Sequence, residues 1–276
     1  MGKKVREYER ELWSLFWEYS RGGDFSTIRA YLLQRSGLPG PRGNLELATA
    51  FANVIQSGCS SGAFDRKALL SLCQSLCGIP AELAPTNDPN EYLVFCGVCG
   101  LGAVGTEEEG FPAAVSTLRE MARDPRWRTR EGVAMALQRL IESRPKQTLA
   151  LLSDWAEEGD PLVLRAVAAG VAEPRLLHEG FVARAAIRLH EAIFERLKGM
   201  DRKGDDFKVL KKGLSYSLSV VVAASPKEGF ALMARLVSWH DSDVYSVINE
   251  NLTKKRLLKY PNEIRQLRRV LSVGGA

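Results

Sequence analysis

The chain has 276 residues, 45% apolar and 26% charged, with a formal net charge of +5. That balance fits an ordinary globular protein long enough to bury a large core. It holds no run of the roughly 18 apolar residues a membrane helix needs, its charged opening MGKKVREYERELWSLFWEYS lacks the apolar centre of a secretory signal, and its odd cysteine count fits a reducing, cytoplasmic setting better than a disulfide framework.

From the N-terminus, apolar residues recurring at helical spacing predict helices over 4–20, 24–36 and 44–57. The segment SGLPGPRGN over 36–44 is the best linker candidate. One solenoid domain over 1–276 is therefore expected, with an N-terminal helical cap over 1–36, a linker at 37–44, repeats over 45–260 and a C-terminal cap over 261–276. Next come LLSLCQSLCGI and EYLVFCGVCGLG, which carry Cys73, Cys77, Cys96 and Cys99. Four thiolates at such spacing can hold zinc, but both pairs sit in apolar helical text with no turn to splay them. Cysteine packs there as a small apolar group, so no metal is expected. The glycine string GVCGLGAVG lacks a following Lys-Ser/Thr and a preceding strand. Close helix contact explains it better than nucleotide binding.

A repeat appears from the aspartates onward. Asp-Pro recurs at Asp88, Asp124 and Asp160, 36 residues apart each time. Aspartate suits an N-cap, and proline at the first helical position loses only a donor that is unpaired anyway. Residues 145–177 also superpose without a gap on 226–258, a shift of 81, with Pro145 on Pro226, Asp160 on Asp241 and Arg175-Leu176-Leu177 on Arg256-Leu257-Leu258. Asp206 supplies the unit between, its longer step absorbed by KGMDRKGDD. Units of an A helix, a turn ending in Asp and a B helix follow over roughly 110–142, 145–177, 182–224 and 226–258. Asp88, Asp124, Asp160, Asp206 and Asp241 are each expected within two residues of a helix start. Helix pairs of this size bury their apolar stripes only against the next pair, so the fold class is an all-α, HEAT-like or armadillo-type superhelix. The Trp, Gly and Tyr signature of a tetratricopeptide array is missing.

Charge is uneven. Residues 201–276 carry 14 Lys and Arg against 8 Asp and Glu, while 1–100 balance at 10 and 10. The B-helix starts bring a ladder of cations with aromatics: Trp127, Arg128 and Arg130, then Arg165, then Lys211, Lys212 and Tyr216, running to Lys254, Lys255 and Arg256. Cations interleaved with aromatics are what a nucleic-acid groove uses, for phosphate neutralisation and base stacking. They equally serve an acidic protein partner. Trp155 and Trp239 read as core residues of A helices. His178, His190 and His240 fall in separate units and form no catalytic or metal-binding pair. No catalytic residue, metal or small-molecule cofactor is expected.

The segments WRTREGVAMALQRL, AVAAGVAEPRLL and DSDVYSVINENLTKKRL, within roughly 110–260, resemble the HEAT-like repeats of the DNA alkylation repair glycosylase superfamily. That resemblance implies a basic concave surface that cradles damaged duplex DNA, with a Trp-and-Asp cluster for the alkylated base. Trp127-Arg128-Thr129-Arg130 is similar to the family's Trp- and Arg-rich B-helix start. Asp154-Trp155 departs from the spacing of the catalytic cluster. The leading expectation is a non-catalytic scaffold for a protein or nucleic-acid partner on a concave face, the alternative a glycosylase-like repair protein.

Overall fold

Asparagine, aspartate and proline set where many of the helices begin. The computed structural model describes residues 2–274, among which are fourteen α-helices, two short 3-10 turns and no strand. They fall into two compact units, within Met1–Ser143 and Arg144–Ala276. The first unit holds α1 (Lys3–Ser20), α2 (Ser26–Gln34), α3 (Leu45–Ser61), α4 (Arg66–Cys77), α5 (Glu91–Val104), α6 (Phe111–Met121) and α7 (Trp127–Ser143). The second holds α8 (Pro145–Glu157), α9 (Pro161–Val171), α10 (Gly180–Leu197), α11 (Asp205–Ala224), α12 (Pro226–Val237), α13 (Ser242–Leu252) and α14 (Pro261–Gly274).

In the first unit α1, α3, α5 and α7 stack side by side in that order, with α4 and α6 packed against α5. Helix α5 is the centre: every residue from Glu91 to Val104 is buried. Its glycines make this possible. A Cβ on Gly97 would stand 2.9 Å from the Cys73 carbonyl oxygen of α4, and one on Gly102 would stand 2.6 Å from the Ala136 Cα of α7. The glycine string is thus a set of close helix contacts. All five cysteines are buried and free. Burial pushes the Cys73 and Cys96 thiols well above their ordinary range and Cys99 up to about 12. The segment 36–44 is folded into a packed loop in which Ser36 and Leu38 are buried and the Asn44 side chain caps α3.

The second unit repeats visibly. One row is α8, α10, α12 and α14, the other α9, α11 and α13. Pro145 and Pro226 each open an A helix. Asp160 accepts from the N–H groups of Leu162 and Val163, and Asp241 from those of Asp243 and Val244. A 3-10 turn follows each of these B helices, Leu176–His178 after α9 and Lys255–Leu257 after α13, the second two residues earlier than the shift of 81 would put it. Asp206 lies in the first turn of α11.

Asp88 and Asp124 depart from the expected position, because α5 and α7 begin three residues further on, at Glu91 and Trp127. Their side chains serve a tight turn instead: Asp88 accepts from the Asn90 N–H and Asp124 from the Arg126 N–H, each at 2.8 Å. Asp-Pro marks a helix start only where the helix follows at once, as at Asp160.

The insertion before α11 is anchored. Arg202 donates to Asp241 and Asp243 at the head of α13 and to the Leu197 carbonyl. This guanidinium holds the Asp241 carboxyl below the usual range.

Candidate functional site

Helix α11 buries Leu214, Leu218 and Val221 and leaves Lys208, Lys212 and Tyr216 on its open side, four residues apart. Beside it, α13 buries Val244, Val247 and Ile248. After α13 the 3-10 turn sinks Leu257 into the core and sets Arg256 over Tyr216, its Cζ 4.6 Å from the ring centroid. The same guanidinium donates from Nη2 to the Tyr216 hydroxyl at 3.1 Å. Its Nη1 is covered and has no hydrogen-bond partner. Tyr216 is 54% exposed.

What fixes this arrangement is Asn251, fully buried on α13. Its carbonyl oxygen accepts from the Ser219 N–H at 2.7 Å, and its amide donates to the Leu214 and Val247 carbonyls at 3.0 and 2.7 Å. The first and second of these partners flank Tyr216 on α11, so one amide locks the two helices in register. Sequence reasoning missed it. Of the two asparagines in SVINENL, Asn251 falls on the apolar face of the B helix, four residues after Val247, and that was the available signal.

The charges around Tyr216 are largely countered by the protein itself. Lys211 bonds Asp243 at 2.9 Å and Lys254 bonds Glu250 at 3.0 Å. The Glu250 carboxyl is held below its usual range by Lys254 first, with help from Ser215 and Lys212. Lys212 and Lys255 are exposed, and neither forms an ion pair among the described residues. Arg165, half-buried on α9, lays its stem along α11, where a Cβ on Gly213 would stand 3.2 Å from its Cγ. The structure thus brings Lys211, Lys212, Tyr216, Lys254, Lys255 and Arg256 together around α11 and α13.

Trp127, Arg128 and Arg130 belong to the first unit. Trp127 is 45% exposed at the start of α7, with the Arg128 Cζ 4.4 Å from its ring centroid. Arg128 itself, expected to face a partner, is buried. It pairs at 2.9 Å with Glu91, which is wholly enclosed, and donates to the Gly40 carbonyl at 2.8 Å. A cation leaves water only for a close carboxylate and further acceptors, and Arg128 has both, so its role is to hold the 36–44 loop against α5 and α7. Arg126 does likewise, gripping Asp124 and the Ile79 and Ala84 carbonyls. Arg130 donates to the Asp124 and Pro125 carbonyls at 2.6 and 2.9 Å.

Trp155 is 3% exposed, a core residue as expected. Trp239 is half-buried in the turn after α12, with the Lys198 ammonium 3.9 Å from its ring centroid. His190 is enclosed between α10 and α11. Among the described residues no group of three or more His, Cys, Asp or Glu is placed to hold a metal ion, and no helix is long and apolar enough to cross a membrane.

Within each unit the helices stack in rows, the packing of an all-α solenoid of the helical-repeat class. Residues 86–172, about a third of the chain, match the family model described as HEAT repeats. No curated protein matches the chain. Among solved structures it is similar to a designed armadillo repeat protein, at 13% identity and a TM-score of 0.29, over 88% of this chain and 99% of that one.

Proposed function

We propose that the chain is a non-catalytic helical-repeat scaffold that holds a protein partner against α11 and α13, anchored by Tyr216 and Arg256. The observation that carries this is the exposed Tyr216 ring with the Arg256 guanidinium stacked on it. Tyr and Arg dominate binding energy where they sit together, because both combine large flat area with directional donors. Their support is rigid: Asn251 fixes the helices, and the 3-10 turn fixes Arg256.

A protein suits this surface better than a nucleic-acid backbone. Phosphate binding rests on unpaired cations, and Lys211 and Lys254 are already engaged by Asp243 and Glu250. Base excision is disfavoured too, since Trp155, beside Asp154, is buried and cannot meet a base.

The test is a photo-crosslinking amino acid at position 212, adjacent to the anchor, to trap and identify the partner. Its affinity is then measured by calorimetry against the parent chain, Tyr216→Ala and Arg256→Ala. Each truncation is expected to cost about 2 kcal/mol or more, a loss of roughly thirtyfold. Unchanged affinity in both variants would refute the anchor.

A further inference from the structure

The first helix carries three of its cations and its two indoles on one side. At about 100° per residue, positions 3, 6, 10, 13 and 17 fall in one sector of about 80°, occupied by Lys3, Arg6, Arg10, Trp13 and Trp17. The core face of α1 is separate, made by Val5, Leu12 and Phe16. Its acids Glu7, Glu11 and Glu18 point along a third face by the same count. So α1 presents three cations followed by two indoles in a single stripe.

That stripe borders an open groove of about 1090 Å³ between α1 and α3. Lys3, Arg6 and Arg10 are exposed, and no described carboxylate pairs with them. Across the groove lie Asn53, Gln56 and Ser57 of α3. Gln56 spends its carbonyl oxygen on Arg139, which leaves its amide N–H groups uncommitted, and the Ser57 hydroxyl has no partner. Apart from the Glu9 carboxylate, the lining offers mostly cations and donors, so the fitting occupant is rich in acceptors and negative. Trp13 is half-covered by Phe64 at 5.0 Å, whereas Trp17 is 47% exposed at the end of the stripe.

We infer that this groove binds single-stranded RNA. Unpaired cations track a phosphate backbone, and an exposed indole in line with them stacks a base. An acidic peptide would meet the cations but find little apolar anchorage, since Val54 and Trp13 are the apolar lining residues. A lipid surface needs an apolar helix face, and that of α1 is spent on the core. Glu9 selects among nucleic acids. One of its carboxylate oxygens accepts from the Asn53 amide at 2.6 Å, which fixes the group in the groove with the other oxygen unused. Such a carboxylate repels phosphates but accepts from a ribose 2′-hydroxyl, the group that separates RNA from DNA.

Fluorescence anisotropy of the full chain with a labelled oligouridylate 12-mer tests this across a salt series. A dissociation constant of about 10⁻⁴–10⁻⁶ M near physiological salt is expected, with each phosphate contact adding about 0.7 to the logarithmic salt slope. Arg6→Gln with Arg10→Gln should weaken binding at least about tenfold and flatten the slope by about 1.4. Trp17→Ala should weaken it about tenfold, with the circular dichroism spectrum unchanged. The deoxyuridylate 12-mer should bind more weakly, and Glu9→Gln should narrow that gap. Tyr216→Ala should leave all of this untouched, so that failure here and failure of the protein-binding anchor are separate results. Undiminished binding by the double variant, or tighter binding of an oligoglutamate 12-mer than of the RNA, overturns the assignment. Equal affinity for the ribo and deoxy strands overturns the choice of RNA.

Discussion

Acid should act on the second unit through His190. The ring is wholly enclosed, with Nδ1 2.8 Å from the Ala186 carbonyl oxygen and Nε2 2.8 Å from the Ser217 hydroxyl. A carbonyl only accepts, so Nδ1 carries the proton and Nε2 receives the Ser217 O–H. Burial pushes the imidazole down from its ordinary 6.5 to about 4. The unfolded chain therefore takes up a proton as pH falls through about 6.5, and the folded chain only near 4. Stability is full above the higher value, drains away between the two, and is unaffected by this group below the lower one. That gap is worth about 3 kcal/mol at roughly 1.4 kcal/mol per pH unit. Urea unfolding followed by circular dichroism from pH 7.5 to 4 measures it, with His190→Leu as the reference lacking the titrating group. The variant spends little on Ser217, whose hydroxyl can turn back to the carbonyl four residues earlier in α11. Carboxylates titrate alike in both chains and cancel in the difference. The parent should lose about 3 kcal/mol more than the variant over that range. Parallel pH profiles would refute the neutral, desolvated imidazole.

Gly102→Ala should destabilise the first unit by about 1–3 kcal/mol, since the new methyl meets the Ala136 backbone of α7 at 2.6 Å; thermal unfolding by calorimetry reads this directly. Asp160→Ala and Asp241→Ala should each cost about 1 kcal/mol as lost caps, in denaturant titrations at neutral pH. The Asp241 variant also loses its ion pair with Arg202, which keeps Asp243 and the Leu197 carbonyl as partners. That pair's contribution is present above the ordinary carboxylate range and fades as pH falls, in keeping with a depressed folded-state pKa. A colourimetric thiol reagent should find almost nothing in the native chain and five thiols after unfolding, since all five cysteines are buried with raised pKa values; rapid native labelling of Cys96 or Cys99 would contradict their placement in α4 and α5 packing.

The repeat was legible because its marks are local. Pro145 and Pro226 open helices, Asp160 and Asp241 cap them, and each B helix is followed by a 3-10 turn, though the two turns are 79 residues apart rather than 81. Asp88 and Asp124 show the limit of such marks: the same dipeptide closes a turn when two more residues precede the helix. The cation ladder was legible only as composition. Which arginines reach solvent depends on partners far away in sequence, as Arg128 has in Gly40 and Glu91. Asn251 stood out only as a polar residue on an apolar face, and its function rests on two backbone groups of another helix. The stripe on α1 needed only a helical count of positions 3 to 17, but the groove that gives it meaning needed α3.

The glycines that let α5 sit at the centre also leave it unable to stand alone. Gly97, Gly100 and Gly102 each weaken an isolated helix by about 0.5–1 kcal/mol relative to alanine, in a segment of 14 residues that is marginal to begin with. Its helicity is lent by α3, α4 and α7, and they in turn bury their inner faces on it. Neither side has a reason to form first and wait. The first unit should therefore open as one cooperative block, its central amides exchanging with solvent only in the same rare event that melts its neighbours.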